Sequence, residues 1–255
     1  MENTVEIINI IAEQKNSLES ERDRDFLQRV YQGGLDFYIE RLNAIGFTGR
    51  HRVLDAGCGF GQWSMSLANL NTYVDALDYS EIRVNTAKKF SQALSISNLS
   101  YAIGSIEELP YSDETFDAVF CYSTIYQTDY NKTLQSFHRI LKSNGILYFS
   151  TNSWGWYIFN LVNNHNPSKD FSPRKHAIKT ILNTLRYRLS KKYRRNVDLI
   201  MPVKDTIDLL KEIGFKDIQV SGDGRLVRDD QYKPRPVYAE KYFGLENVYE
   251  IVGAK

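Results

Sequence analysis

The sequence predicts an α/β fold: a doubly wound sheet of about seven strands, mostly parallel, with an antiparallel last strand. Three observations point to it. From Arg52 onward short apolar runs alternate with longer stretches of helical periodicity, the pattern of parallel strands joined by crossover helices. The first apolar run, "RVLDA", leads straight into glycines at every second position, Gly57, Gly59 and Gly61, as at a strand-to-helix turn. The chain has 255 residues, 42% hydrophobic and 25% charged, enough for one large domain or a core with an appendage.

The elements follow in order. Residues 4–46 read as helical: Val5, Ile8 and Ile11, or Ile7 and Ile10, line a short amphipathic helix, and Phe26, Leu27, Val30, Tyr31, Leu35, Tyr38, Ile39 and Leu42 continue the pattern. The pair Gly33-Gly34 should break or kink it. "RVLDA" is a buried strand and "GQWSMSLANL" a helix that starts in the glycine loop. "TYVDALD" is the second strand, and Ser80 is placed to cap "EIRVNTAKKFSQAL". "LSYAIG" and "FDAVFCYS" are the third and fourth strands, "YNKTLQSFHRILKSNG" a helix closed by Gly145, and "ILYFST" the fifth strand. Residues 151–200 interrupt the alternation; a helix, a turn at Gly214 and a strand then restore it, and "NVYEIVGAK" closes the sheet. The expected division is an N-terminal helical cap over 1–50, a core over 51–151 and 201–255, and an inserted helical and aromatic lid over 152–200 on the substrate side.

Composition excludes several classes. No run approaches the roughly 18 apolar residues of a membrane span. The start, "MENTVEIINIIAEQ", has no basic n-region, so a cytoplasmic location is expected. Cys58 lies in the glycine loop and Cys121 in an apolar run, a pattern of neither disulfides nor a metal site. A net charge of +1 implies no global attraction to nucleic acid. The charge is unevenly spread, however: Phe171 to Val197 carries Arg174, Lys175, Lys179, Arg186, Arg188, Lys191, Lys192, Arg194 and Arg195 and no acid. Such a segment suits a phosphate-bearing substrate, an anionic membrane surface or RNA, or is a solvated helix face.

The glycine loop narrows the cofactor class, and other signals must agree with it. A dinucleotide site requires G-x-G-x-x-G, and the third glycine position here is Gln62. The observed pattern is Gly57-x-Gly59-x-Gly61 after Asp55, with Asp78 ending the second strand about 20 residues on, where a carboxylate reaches the hydroxyls of an adenosine ribose.

With "LDAGCGFG", "GSIEELPY", "FDAV" and "RILKSNG" in this order, the chain resembles the class I S-adenosylmethionine-dependent methyltransferases, Rossmann-like enzymes with the motifs "LDxGCGxG", "GDAExLPF", "FDxV" and "RxLKPGG". The resemblance is good over about residues 50–150 and weak beyond. It implies S-adenosyl-L-methionine as cofactor and no metal. Asp55 and the backbone of Gly57, Cys58, Gly59 and Gly61 should then hold the methionine end, Asp78 the ribose, and Tyr79 one face of the adenine. Ser105 replaces the aspartate that accepts from the adenine amino group; its hydroxyl could accept that bond, with Ile106 N–H donating to the ring. Tyr122 and Ser123 should line the reactive end. As catalytic candidates the sequence offers Tyr31, on a segment able to lie across the cofactor, Tyr126 after the fourth strand, and His165 after the aromatic cluster Trp154, Trp156, Tyr157 and Phe159. His138 falls in a packing position, and His51 precedes the first strand at the wrong end of the sheet for chemistry.

The expected function is methyl transfer to an oxygen or nitrogen of a small or medium-sized acceptor, anionic or aromatic ones included: a sugar, glycan precursor or specialised metabolite. "CYST" after the fourth strand lacks the Asn/Asp-Pro-Pro-aromatic pattern of base-nitrogen methylation, so a tRNA or rRNA substrate is less favoured. A quinone-type C-methyltransferase and a non-catalytic cofactor-binding module remain open, and so does the oligomeric state.

Overall fold

β1 (Arg52–Ala56) lies in the interior of a seven-stranded sheet because it is apolar on both faces: Val53 and Leu54 are both fully buried. In the computed structural model, which describes residues 2–190, 192–194 and 197–255, three helices precede it: α1 (Glu2–Ser17), α2 (Glu21–Tyr31) and α3 (Asp36–Ala44). The break expected at Gly33-Gly34 separates α2 from α3, with Gly34 at φ +70°.

After β1 come α4 (Gln62–Leu70), β2 (Tyr73–Asp78), α5 (Glu81–Ala93), β3 (Leu99–Ile103), β4 (Phe116–Tyr122), a 3-10 turn at Ile125–Gln127, α6 (Tyr130–Ile140) and β5 (Leu141–Asn152). The insert supplies α7 (Trp154–Asn163) and α8 (Pro173–Ser190). α9 (Val203–Ile213), β6 (Lys216–Gly222), a hairpin of β7 (Lys241–Tyr242) and β8 (Leu245–Glu246), and β9 (Val248–Ala254) complete the chain. The strand order is β3-β2-β1-β4-β5-β9-β6; β1 to β5 are parallel, and β9 runs antiparallel to both neighbours. The order reverses between β1 and β4, which opens a crevice at their carboxyl ends.

Alternation along the strands builds two core layers. Leu54, Val119, Cys121, Leu147, Phe149 and Ile251 face α6 and α9 through Phe137 and Leu210. Val53, Ala118, Phe120, Tyr148 and Val252 face α3 and α4 through Leu42, Trp63 and Leu67. A third cluster joins the N-terminal helices to the glycine loop: Leu27 and Tyr31 pack with Phe60, Met65 and Phe90.

Two local expectations change. α6 ends at Ile140, not at Gly145, because Leu141 already pairs with Phe116 and Lys142 binds Asp117 at 2.8 Å. Asn144 makes the turn at φ +64°, and Gly145 is needed for space: a Cβ there would stand 2.8 Å from the Lys142 carbonyl oxygen. The second change is the stretch 223–247, to which the sequence assigns no element. It folds over α7, and Gly155 is where they touch; a Cβ on Gly155 would lie 2.6 Å from the Leu245 carbonyl oxygen.

This returning stretch is anchored by ions. Arg41 Nη2 donates to Asp223 Oδ1 at 2.8 Å and to Glu250 Oε2 at 3.0 Å, all three side chains being buried. Tyr122 Oη donates to Asp223 and Tyr148 Oη to Glu250, while the N–H groups of Arg225, Leu226 and Val237 satisfy the remaining carboxylate oxygens. Burial pushes the Glu250 carboxyl up and the Arg41 guanidinium opposes the shift. Removing one partner of such a cluster leaves uncompensated buried charge, at a cost of about 3–5 kcal/mol. Arg41→Met should therefore lower stability by about that amount, read from the midpoint of urea unfolding. A loss below about 1 kcal/mol would show that the cluster behaves like a surface pair.

Candidate active site

The crevice at the β1–β4 switch point is built from the glycine loop upward. Gly57, Gly59 and Gly61 all have positive φ, and α4 begins on Gly61 without a side-chain cap, so its first N–H groups face the loop. The three glycines differ in what they permit. A Cβ on Gly57 would lie 2.5 Å from the Thr124 side chain, and one on Gly61 would lie 2.8 Å from Ala87 Cβ. One on Gly59 would meet only the Phe26 ring, at 3.9 Å. The loop is thus packed at both ends and open in the middle, toward α2.

Two carboxylates stand under it. Asp78, 4% exposed, accepts from Gly59 N and Ser80 N, both at 2.9 Å. Those bonds use one site on each oxygen and leave others free. Asp55, 1% exposed, accepts from Ser64 Oγ at 2.5 Å. Burial pushes its carboxyl up to about 7; the Ser64 bond opposes this and the nearby Asp78 charge adds to it. Cys58 is buried, and burial, with these two acids, holds its thiol well above the ordinary value, so it is no nucleophile.

Beyond Asp78 the sheet edge is unusually apolar. Tyr79 is 68% exposed and Ile103, paired with Asp78 across β2 and β3, is 51% exposed. Ile106 is buried beneath, and Ser105 Oγ accepts from Glu107 N at 3.2 Å, which holds the turn. An exposed aromatic platform beside a buried carboxylate fits a nucleoside, purine on the platform and ribose on the acid. Gln62 Oε1 is buried without a partner at the start of α4 and could accept from an ammonium there. The residues present therefore fit S-adenosylmethionine: Asp78, Tyr79, Ile103 and Ile106 toward the nucleoside, and Gln62 with the Gly57–Gly61 main chain toward the amino acid end.

At the β4 edge, Ser123 sits at φ +58° with its N–H on Ser150 Oγ at 2.9 Å. Tyr122 does not turn into the crevice: its hydroxyl is held by Asp223 at 3.0 Å and its ring lies against Trp63 at 4.8 Å.

The catalytic candidates fare unevenly. Tyr31 is 3% exposed, stacks on Phe90 at 4.2 Å and donates to Phe60 O at 2.6 Å, so it braces the glycine loop from behind as a packing residue and does not face a substrate. His165 is exposed on the loop after α7, against Asn166 at 3.0 Å. Tyr126 is half-buried at the crevice edge; burial and then Asp198 push its hydroxyl up to about 12, which makes it a proton donor and a poor base near neutrality. The α7 aromatics are already occupied: Trp156 packs on Tyr238 at 5.1 Å and Phe159 on Tyr242 at 5.0 Å, both from the returning stretch. His138 packs on Phe215, as expected, and His51 on Tyr73.

Sequence reasoning missed the pair His176 and Asp198. His176 Nε2 lies 2.8 Å from Asp198 Oδ2, and the imidazole ring is 5.4 Å from that of Phe171. The pair is fixed to the crevice edge: Leu199 N donates to Tyr126 O at 2.8 Å and Met201 N to Asn152 O at 3.2 Å, so Asp198 stands at the carboxyl ends of β4 and β5. No spacing in the sequence signals this pair, since the two residues are brought together only by the fold of the insert. α2 meets the same region: Arg22 lies over Phe171 at 4.1 Å, Ser20 Oγ donates to Asp170 at 2.7 Å, and Lys169 N donates to Glu21 at 2.8 Å.

A glycine loop over paired acids and an open apolar edge define a nucleoside-binding site of the methyltransferase class. Residues 48–194 match the family model described as "Methyltransferase domain", and the chain belongs to this family, the class I S-adenosylmethionine-dependent methyltransferases, whose cofactor is S-adenosyl-L-methionine. It is 28% identical over 119 residues to an uncharacterized methyltransferase, YcgJ, of Bacillus subtilis, covering 46% of this chain and 47% of that one. It is 38% identical over 115 residues to a malonyl-[acyl-carrier protein] O-methyltransferase of Hamiltonella defensa, covering 45% and 43%. The chain spans about half the length of the curated relatives it matches. Its fold is similar to that of an S-adenosylmethionine-dependent methyltransferase from Mesorhizobium loti, at TM-score 0.57 and 20% identity, over 88% of this chain and 99% of that one. No helix among the described residues is long and apolar enough to cross a membrane, and no group of metal-ligating side chains occurs among them.

The Asp55 environment has a measurable consequence. Its carboxyl is raised from 3.8 to about 7, so the folded state holds a proton that the unfolded chain has released. The stability this adds is fully present below about pH 4 and is lost as pH rises to about 7. Wild type minus Asp55→Asn, compared by urea unfolding between pH 5 and 8, should fall by roughly 1.4 kcal/mol per pH unit up to about pH 7 and level off above it. A flat difference would contradict a protonated Asp55.

Proposed function

We propose that the chain transfers a methyl group from S-adenosylmethionine to a hydroxyl oxygen of a small or medium-sized acceptor, with His176 as the base. The bound sulfonium supplies an already activated methyl group. What the protein adds is alignment and exclusion of water, worth about 7–11 kcal/mol in intramolecular models, and a place for the acceptor's proton.

The His176–Asp198 pair is the observation that carries this reading. The Asp198 carboxylate accepts at His176 Nε2, which fixes the proton there and leaves Nδ1 as the proton acceptor. Asp198 also stabilises the imidazolium that forms, as a second-layer carboxylate does for a histidine base. A base matters for a hydroxyl acceptor, which begins protonated. Phe171, Tyr126 and Arg22 near the pair favour an acceptor with a ring and a negative or carbonyl-bearing edge. On this reading α1 to α3 form a cap, and α7 and α8 the lid over the acceptor.

Acceptors can be found by incubating cell extracts with methyl-labelled cofactor and identifying labelled products by mass spectrometry. With an acceptor in hand, His176→Gln should lower kcat by about 100- to 10,000-fold while calorimetry shows cofactor affinity unchanged. A variant with wild-type kcat would remove His176 from the chemistry. Asp78→Ala, by contrast, should abolish cofactor binding while circular dichroism reports a folded protein; unchanged affinity would overturn the ribose assignment.

A further inference from the structure

We infer that α8 is a docking helix for an anionic lipid surface. Four large apolar side chains on it are left in solvent: Ile178 at 46% exposure, Leu182 at 61%, Leu185 at 47% and Leu189 at 89%. Their spacing of four, three and four residues gathers them into a stripe about 60° wide along the helix. This stripe is not the face by which α8 joins the fold. That face carries Ala177, Thr180 and Thr184, all buried, with Ile181 packing on Tyr157 and Ile200. α8 thus has two apolar faces, one covered and one bare.

Charge decides what covers the bare one. Lys175, Lys179 and Arg186 run along one side of the stripe, all exposed, and among the described residues none of them has an acidic partner. Two other cations are occupied: Arg174 donates to the Leu161 and Val162 carbonyls, and Arg188 is paired with Asp205. Lys192 follows the helix end; Lys191 and Arg195 lie outside the described residues. Exposed apolar side chains flanked by unpaired cations, with no acid on the segment, match an interface in which leucines enter the acyl boundary and lysines meet lipid phosphates. An RNA partner would use the cations and leave the stripe without a role. A second copy of the chain would cover the stripe but bring its own Lys175, Lys179 and Arg186 against these.

The geometry also relates the surface to the crevice. His176 projects from the far side of the same helix, about 150° around from the stripe. A bilayer held by the stripe would lie against the outer face of the insert, leaving the acceptor side undisturbed. The inference does not depend on the proposed reaction, and its test needs no acceptor.

The whole chain is mixed with sucrose-loaded vesicles of phosphatidylcholine alone, or with about two-fifths phosphatidylglycerol, and sedimented at 0.1 M salt. Binding should be at least about tenfold tighter to the anionic vesicles and should weaken as salt rises. Leu182→Asn with Leu185→Asn, at positions already exposed, should lose most of that binding with an unchanged melting temperature, and Lys175→Glu with Lys179→Glu should reduce it to the level of neutral vesicles. Absence of sedimentation with the anionic vesicles would overturn the inference. So would a concentration-dependent dimer broken by the leucine pair, or tighter binding to a single-stranded RNA that the leucine pair leaves intact.

Discussion

The cofactor crevice rests on the hydrogen bonds that Asp78 accepts from Gly59 and Ser80. They tie the end of β2 to the middle of the glycine loop and to the start of α5, beside the bonds that Gly57 N and Cys58 N donate to Leu77 O. Because the donors are main-chain N–H groups, the carboxylate is hydrogen-bonded beneath the loop without a cation. Asp55 lies close enough for the Asp78 charge to raise its own carboxyl. Two buried acids with no positive partner among the described residues favour a ligand that brings positive charge, and a cation there would draw Asp55 back to its ionised form. A sulfonium cofactor with an ammonium group has that character. A dinucleotide, with its pyrophosphate, does not.

The mouth of the crevice is held more loosely than its floor. α2 meets the insert through exposed polar bonds, Ser20 to Asp170 and Lys169 to Glu21, and through Arg22 over Phe171. Exposed contacts of this kind contribute little each, since solvent competes for both partners. His176, in contrast, stands on a helix that is packed through Ala177 and Thr180 against buried Tyr157 and Ile200. Parting α2 from the insert would thus cost little and leave the His176–Asp198 pair where it is. Such a division of stiffness suits a site that must admit an acceptor and then exclude water.

Much of this was legible in the sequence, for reasons specific to each part. The strands of the sheet centre are read from apolar runs because both their faces are covered, and the glycine loop because its backbone needs conformations that side chains forbid. Asp78 is legible because its place at a strand end follows from the loop. Tyr31 was misplaced because a tyrosine near a site looks the same in sequence whether its hydroxyl faces substrate or, as here, a loop carbonyl. The aromatics of α7 read as a ligand wall because nothing local shows that Tyr238 and Tyr242 return to cover them. His176 and Asp198 carry no signal at all, since 22 residues and a helix separate them and only the course of residues 198–201 along β4 and β5 joins them.

The returning stretch also explains how a strained residue is kept at the crevice edge. Ser123, with φ at +58°, occupies a conformation that costs a side-chain-bearing residue on the order of 1–3 kcal/mol. It persists only if its neighbours leave it no alternative. On one side Tyr122 is fixed by Asp223, which Arg41 binds in turn. On the other, Thr124 packs on Gly57, where no side chain would fit. Ser123 N is held by Ser150 across the strand. Through Tyr122 the buried cluster of Arg41, Asp223 and Glu250 bears on the backbone that follows β4. A purely apolar cluster of the same volume could be as stable, but it would lack the directed hydrogen bond that holds the Tyr122 hydroxyl, and with it the position of the next residue.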